Sequence, residues 1–252
     1  MVKIEAHEHC PFPGSSLYMP VEEPKAGVVV LHGSEGGGYG HHKVIAKFLA
    51  SHGGFAALAF TWCGSLKYPV AGVPPDIIDI DLERTFAANA WLRSHPALQG
   101  KKIGLYGVSR GAEQALILAS MQDDLSLPRI DAVAVHAPFH QVVTGWSLKW
   151  DDNPEAIDPS ARAWRCQGQH LEPKQPIPVE KFMAPILLSH GIEDRLWYVA
   201  CSYILEARLK TQRPAGSVVE THYLPGEAHH LSEEGMRLHQ EKLLDFFRRH
   251  LA

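Results

Sequence analysis

The sequence predicts an α/β protein with a mostly parallel central sheet of about eight strands and helices on both faces. Three observations carry this. Short, mainly apolar runs recur at Gly27 to Leu31, Phe55 to Phe60, Ile103 to Tyr106, Asp131 to His136 and Pro185 to His190, as strands buried on both faces read. Stretches of helical character separate them, the pattern of strands joined by crossover helices. No repeat or linker interrupts the alternation, so the 252 residues are expected to form one domain, 1–252, a size at which a single core is feasible.

In chain order, Lys3 to His9 and Ser15 to Met19 read as an antiparallel hairpin at a sheet edge, turning through Pro11, Pro13 and Gly14. His7, His9 and Cys10 lie close together there. A metal site needs three or four ligands, and edge-strand histidines are the better reading. After the Gly27 strand comes His32-Gly33-Ser34-Glu35-Gly36-Gly37-Gly38. It lacks the Gly-Lys-Ser/Thr of a phosphate-cradling loop and misses G-x-G-x-x-G spacing. A helix is expected from His42 to His52, ended by Gly53-Gly54, and a second from Asp76 to Ser94 with Ile78, Leu82, Phe86 and Ala90 on one stripe. A third runs from the 103–106 strand to Met121, where Ala112, Ala115 and Ala119 permit close approach to the sheet.

Ala137 to Lys181 is the one long irregular segment, and it follows the sixth strand. It carries Phe139, Trp146, Trp150 and Trp164. Long loops in compact domains are usually functional, and exposed tryptophans are costly. The segment is expected to be a lid or pocket wall, its insertion spanning 139–182. Two further strands, Pro185 to His190 and Val218 to Leu224, alternate with helices from Val199 to Lys210 and Glu234 to His250.

Composition narrows the function. The chain is 45% hydrophobic and 21% charged, as globular proteins are. A net charge of -4 supplies no electrostatic footprint for nucleic acid or anionic membranes. No stretch is apolar enough to span a bilayer, and the N-terminal residues show no apolar leader region. Cys10, Cys63, Cys166 and Cys201 lie far apart without C-x-x-C spacing, as reduced thiols in a cytoplasmic protein would.

The chemistry centres on Gly107-Val108-Ser109-Arg110-Gly111. G-x-S-x-G between a strand and a helix is the form of a nucleophile elbow, a strained turn that lifts a serine hydroxyl clear of the sheet. A serine hydroxyl is a poor nucleophile until an oriented base takes its proton. In α/β-hydrolases the order is Ser, then Asp or Glu, then His, each at the carboxyl end of a strand. Ser109, Asp194 and His229 meet that order. Glu193 beside Asp194 is expected to be solvated, and His230 beside His229 to line the site. The Arg110 amide and one from the glycine-rich loop, Ser34 first and Glu35 next, are expected to form an oxyanion hole. Glu35, Phe139, Trp146, Trp197 and His230 are the expected pocket residues.

With these residues assembled, the chain resembles the catalytic domain of the acyl-CoA thioesterase and bile acid-CoA:amino acid N-acyltransferase family. The resemblance rests on Gly107 to Glu113, on Ser94-His95-Pro96 with Gly100, on Ile177-Pro178-Val179-Glu180-Lys181 leading into Pro185-Ile186-Leu187-Leu188, and on Glu193-Asp194 with Trp197. It covers roughly residues 26 to 250; the residues before it read as a hairpin, not as the β-sandwich domain of mammalian members. It implies an α/β-hydrolase fold with Ser109 as nucleophile, Asp194 as acid and His229 as base. The family's amino-acid transferases use a cysteine nucleophile, and Ser109 in its place favours water as acceptor. Dienelactone-hydrolase-like enzymes share the G-x-x-D and P-G-x-x-H patterns.

The expectation is therefore a serine hydrolase that cleaves a small-molecule acyl ester or acyl-CoA-type thioester through an acyl-serine intermediate, with no metal or organic cofactor required. Acyl transfer to an amine or alcohol is the alternative, and a non-catalytic binding protein on the same fold is another. Neither the acyl group nor the oligomeric state is legible from the sequence.

Overall fold

The structure is a computed structural model that describes residues 2–7, 10–125 and 127–252. Strands β1 (Ile4–His7) and β2 (Ser16–Pro20) form an antiparallel hairpin; His9, expected in its first strand, lies outside the described residues. There follow β3 (Gly27–Leu31), α1 (His41–Phe48), β4 (Ala56–Phe60), the short β5 (Ile80–Asp81), α2 (Glu83–Ser94), β6 (Ile103–Val108), α3 (Arg110–Met121) and β7 (Ala132–His136). The insertion holds α4 (Lys149–Asp152), β8 (Trp164–Cys166) and β9 (Gln169–His170). After it come β10 (Ile186–Gly191), α5 (Ala200–Gln212), β11 (Val219–Leu224) and α6 (Glu233–His250).

Eight strands make one sheet in the order β1-β2-β4-β3-β6-β7-β10-β11, with every pair from β4 to β11 parallel. Successive strand side chains point to opposite faces, and the apolar runs feed two cores accordingly. Val29, Leu31, Ile103 and Leu105 face a core shared with Phe86 and Leu92 of α2, Leu116 and Ile117 of α3, and Leu205 and Leu209 of α5. Val28, Val30, Tyr106 and Val108 face the other, shared with Ile45 and Ala46 of α1 and with Leu243, Phe246 and Phe247 of α6. Helices thus cover both faces. Among the described residues, no helix is long and apolar enough to cross a membrane.

The strand order reverses beside β3, with β4 on one flank and β6 on the other. In open parallel sheets, the carboxyl ends of strands at such a reversal form the ligand crevice. His32 to Gly38 and Ser109 occupy those ends.

The expected helix over Asp76 to Ser94 begins only at Glu83. Residues 76–82 stay outside the helix because the insertion supplies hydrogen-bond partners for them, and only Ile80–Asp81 is strand. Ile77 N–H donates to Trp146 O (2.9 Å), Asp79 N–H to Arg162 O (2.9 Å), Ile80 N–H to Ala163 O (2.8 Å) and Leu82 N–H to Arg165 O (2.9 Å). β5, β8 and β9 form a small second sheet from this pairing. The helical stripe holds only from Leu82 onward; within 76–82 it is Ile77 and Ile80, not Ile78, that are buried.

Candidate active site

Ser109 sits between β6 and α3 with φ 53° and ψ −120°, a left-handed backbone that a residue with a β-carbon occupies only under strain. The flanking glycines make the turn possible. A β-carbon on Gly107 would lie 2.2 Å from Gly111 O, and one on Gly111 would lie 2.3 Å from His32 O. The Ser109 amide donates to His136 O at 2.9 Å, tying the turn to the end of β7.

Asp194 follows β10 in the turn Gly191 to Asp194, where its own amide donates to Gly191 O. Its Oδ1 accepts the amides of Leu196 (2.8 Å) and Trp197 (2.9 Å). Neighbouring Glu193 is exposed. His229 follows β11 through Pro225 and Gly226, and this loop lies against the acid turn, with Glu193 N–H donating to Glu227 O at 2.8 Å.

These elements bring three distant side chains into one line. His229 Nδ1 lies 2.7 Å from Asp194 Oδ2, and Ser109 Oγ lies 3.0 Å from His229 Nε2. The carboxylate only accepts, so Nδ1 carries the proton; Nε2 is then free to accept from the serine hydroxyl. All three are buried, with Ser109 at 6%, Asp194 at 3% and His229 at 9% exposure. Burial alone would push the Asp194 carboxyl up. Hydrogen bonds from His190, His229 and the Trp197 amide outweigh it and hold the group well below the usual carboxylate range. An imidazole oriented in this way can take a hydroxyl proton and return it to a leaving group.

The glycine-rich loop approaches from the end of β3. A β-carbon on Gly33 would stand 3.2 Å from Ser109 Cβ, so the backbone leading to Ser34 passes against the serine. Glu35 folds back over this loop, its Oε1 accepting from Gly33 N–H at 3.1 Å. Burial pushes its carboxyl up, against the opposing pull of the loop amides, His230 and His229. His32 anchors the loop by stacking on Trp62 at 4.7 Å. Its Nε2 accepts the Trp62 amide, which leaves the proton on Nδ1 to bond Gly33 O at 2.7 Å. Burial holds it at about 4 and neutral.

Arg110 is the first residue of α3. Its N–H has no acceptor within the helix, at the end where the backbone dipoles favour negative charge. Its side chain turns away into a buried network that the sequence did not reveal. Arg110 Nη1 lies 2.8 Å from Glu113 Oε2, close as charges though not aligned as a hydrogen bond. Arg110 Nη2 donates to Thr144 O (3.0 Å), and its guanidinium lies over the Trp164 ring. Glu113 Oε1 accepts from Val143 N–H and Trp164 Nε1–H, both at 2.7 Å. The insertion is thereby fastened to the helix that starts directly after Ser109.

Among the expected pocket residues, Phe139, Trp197 and His230 form an aromatic chain around His229. Ring centroids are 5.2 Å apart for Phe139–Trp197, 6.2 Å for Trp197–His229 and 5.4 Å for His229–His230. Trp146 does not join them. Its backbone pairs with Ile77, and its ring packs partly buried against the core as part of the insertion's own folding. His190, at the end of β10, was not singled out by sequence and makes a second imidazole contact with Asp194, Nε2 to Oδ2 at 3.0 Å. The one available signal was a polar Ser189-His190 pair closing an otherwise apolar strand. Among the described residues, no group of three His, Cys, Asp or Glu side chains converges as a metal site requires.

Residues 80–233 match the family described as BAAT / Acyl-CoA thioester hydrolase C terminal. The chain is 36% identical over 199 residues to acyl-coenzyme A thioesterase 2, mitochondrial, of Mus musculus, covering 73% of this chain and 40% of that protein. It is 29% identical over 205 residues to acyl-coenzyme A amino acid N-acyltransferase 1 of Mus musculus, covering 79% and 45%. The chain spans less than half the length of these relatives. Its fold is that of dienelactone hydrolase from Anabaena variabilis, with TM-score 0.63, 18% identity and 99% of each chain covered. That likeness establishes the α/β-hydrolase fold.

Proposed function

Because the chain belongs to the BAAT / acyl-CoA thioester hydrolase C-terminal family, we propose that it hydrolyses a carboxylic acyl ester or thioester through an acyl-serine intermediate. The observation that carries this reading is the Ser109–His229–Asp194 relay, with hydrogen bonds of 3.0 Å and 2.7 Å. Names of relatives support an acyl-CoA thioester as substrate.

Ser109 Oγ attacks the acyl carbonyl as its proton passes to His229 Nε2, and Asp194 holds the resulting imidazolium in place. The tetrahedral oxyanion is received by the Arg110 amide and by an amide of the loop after β3, Ser34 in the first instance. Losing one such donor typically costs about 10²–10³ in rate. Collapse breaks the bond to the alcohol or thiol, which leaves with the proton from His229. Water then attacks the acyl-serine, His229 taking its proton, and Ser109 is released with the free acid. Glu35, Phe139, Trp197 and His230 border the acyl position. Hydrolysis of acyl-CoAs beside p-nitrophenyl esters of graded chain length tests the reading. Free acid from either series supports it, esters alone remove the thioester version, and no turnover of any removes the hydrolase.

A second reading is acyl transfer, favoured by the resemblance to an N-acyltransferase. Glycine, taurine and simple alcohols added to the assay distinguish it, since conjugates would then replace free acid.

A further inference from the structure

We propose that His190 is a positioning residue for the reaction proposed above: a second, buried imidazole that fixes the Asp194 carboxylate toward His229. The inference rests on that reading for its kinetic consequences and on geometry alone for its structural one.

His190 stands at the carboxyl end of β10 and is fully buried. Its Nε2 faces two acceptors, Asp194 Oδ2 at 3.0 Å and Trp197 O at 2.7 Å. Two acceptors at one ring nitrogen require that nitrogen to carry the proton. The other nitrogen, Nδ1, lies 2.7 Å from Ser202 Oγ on α5, whose hydroxyl donates to it. Both ring nitrogens are then satisfied, Nε2 as donor and Nδ1 as acceptor. Asp194 consequently holds four donors: the amides of Leu196 and Trp197 on Oδ1, and His190 and His229 on Oδ2.

This arrangement does two things. It leaves the carboxylate no free rotation, because each oxygen is held from two directions. It also draws charge from Oδ2, so the carboxylate supports the His229 imidazolium less strongly than an Asp bonded to one histidine would. Other titratable groups face the pair. His136 at the end of β7 is held neutral by burial, the Cys201 thiol on α5 is pushed up by burial, and Glu35 and His230 stand on the His229 side.

The test compares wild type, His190→Leu and His190→Gln, since glutamine places an N–H donor near the Nε2 position. Measured are kcat, KM and the pH profile of kcat/KM with p-nitrophenyl acetate, alongside the NMR resonance of the His229 Nδ1 proton and circular dichroism. His190→Leu is expected to lower kcat by about tenfold or more, the worth of one hydrogen bond to a charged group, with KM little changed. Its acid limb should move upward as the unshared carboxylate holds the imidazolium more tightly. His190→Gln should recover most of both effects. If His190→Leu does not fold, Ser202→Ala, which only releases the ring, should show the same changes at smaller size. A folded His190→Leu with an unmoved profile and an unmoved Nδ1 proton overturns the proposal, as does a glutamine variant no better than leucine. If wild type turns over no ester or thioester, the hydrolase reading falls instead, and the Nδ1 resonance still decides the role of His190.

Discussion

A β-carbon on Gly191 would lie 2.4 Å from the carbonyl oxygen of Glu227, so the strand leading to Asp194 and the loop leading to His229 meet backbone to backbone. Glu193 N–H, bonded to that same carbonyl, fixes the meeting. The separation between acid and imidazole is therefore set by a missing side chain as much as by the 2.7 Å hydrogen bond it permits.

Gly191→Ala should push the His229 loop away, because a carbonyl oxygen on one side and strand pairing on the other leave nothing flexible to yield. We expect kcat for an activated ester to fall by tenfold or more, roughly the sensitivity of oriented catalysis to sub-ångström displacement, and the melting temperature to drop. Unchanged kinetics in a melted-down variant would show that the loop, not its spacing from Gly191, sets the imidazole.

Glu113→Ala should cost about 3–5 kcal/mol of stability, because it leaves the Arg110 guanidinium buried and unpaired. Both side chains are almost fully enclosed. Replacing the two together by apolar residues, Arg110→Met with Glu113→Leu, should cost less than Glu113→Ala alone. Urea unfolding of the two variants checks this ordering, and a double variant less stable than the single would contradict it.

Stability should fall on mild acidification, before the carboxylates titrate. His32 is held at about 4 and His239 at about 3, both chiefly by burial, against 6.5 for a free histidine. Between those values and 6.5 the unfolded chain binds protons that the folded chain refuses. The stabilising difference is therefore intact above 6.5 and lost progressively below it. At pH 5 each group costs about 2 kcal/mol by the linkage relation. Urea midpoints at pH 7.5 and 5.0 should show the loss; equal midpoints would mean that neither histidine is held neutral by the fold.

The parts of this fold that the sequence made legible are those where one local rule acted alone. Val28 to Leu31 and Ile103 to Tyr106 had to be strands buried on both faces, and Gly107 and Gly111 had to flank a turn too tight for side chains. Ser109, Asp194 and His229 stood at three strand ends in chain order, and the structure places them in hydrogen-bonding line. Residues 76–82 misled because helical spacing and partners some 65 to 85 residues away competed, and the carbonyls of Trp146, Arg162, Ala163 and Arg165 won. Trp146 stands apart from the Phe139–Trp197–His230 chain for the same reason, since its backbone pairs with Ile77 ahead of β5. His190 and the Arg110–Glu113 pair were invisible because a polar residue inside an apolar run declares its partner only in three dimensions.

The central claim is that Ser109 carries the acyl group. Wild type and Ser109→Ala should be mixed with an ester or acyl-CoA that the wild type turns over, quenched in acid within the first turnovers, and mapped by peptide mass spectrometry. An acyl adduct is expected on the peptide holding Ser109 in wild type. Ser109→Ala should show no adduct and a fall of about 10³ or more in kcat/KM, as expected when a relay nucleophile is removed. Turnover undiminished in Ser109→Ala, or an adduct on another residue, would contradict it.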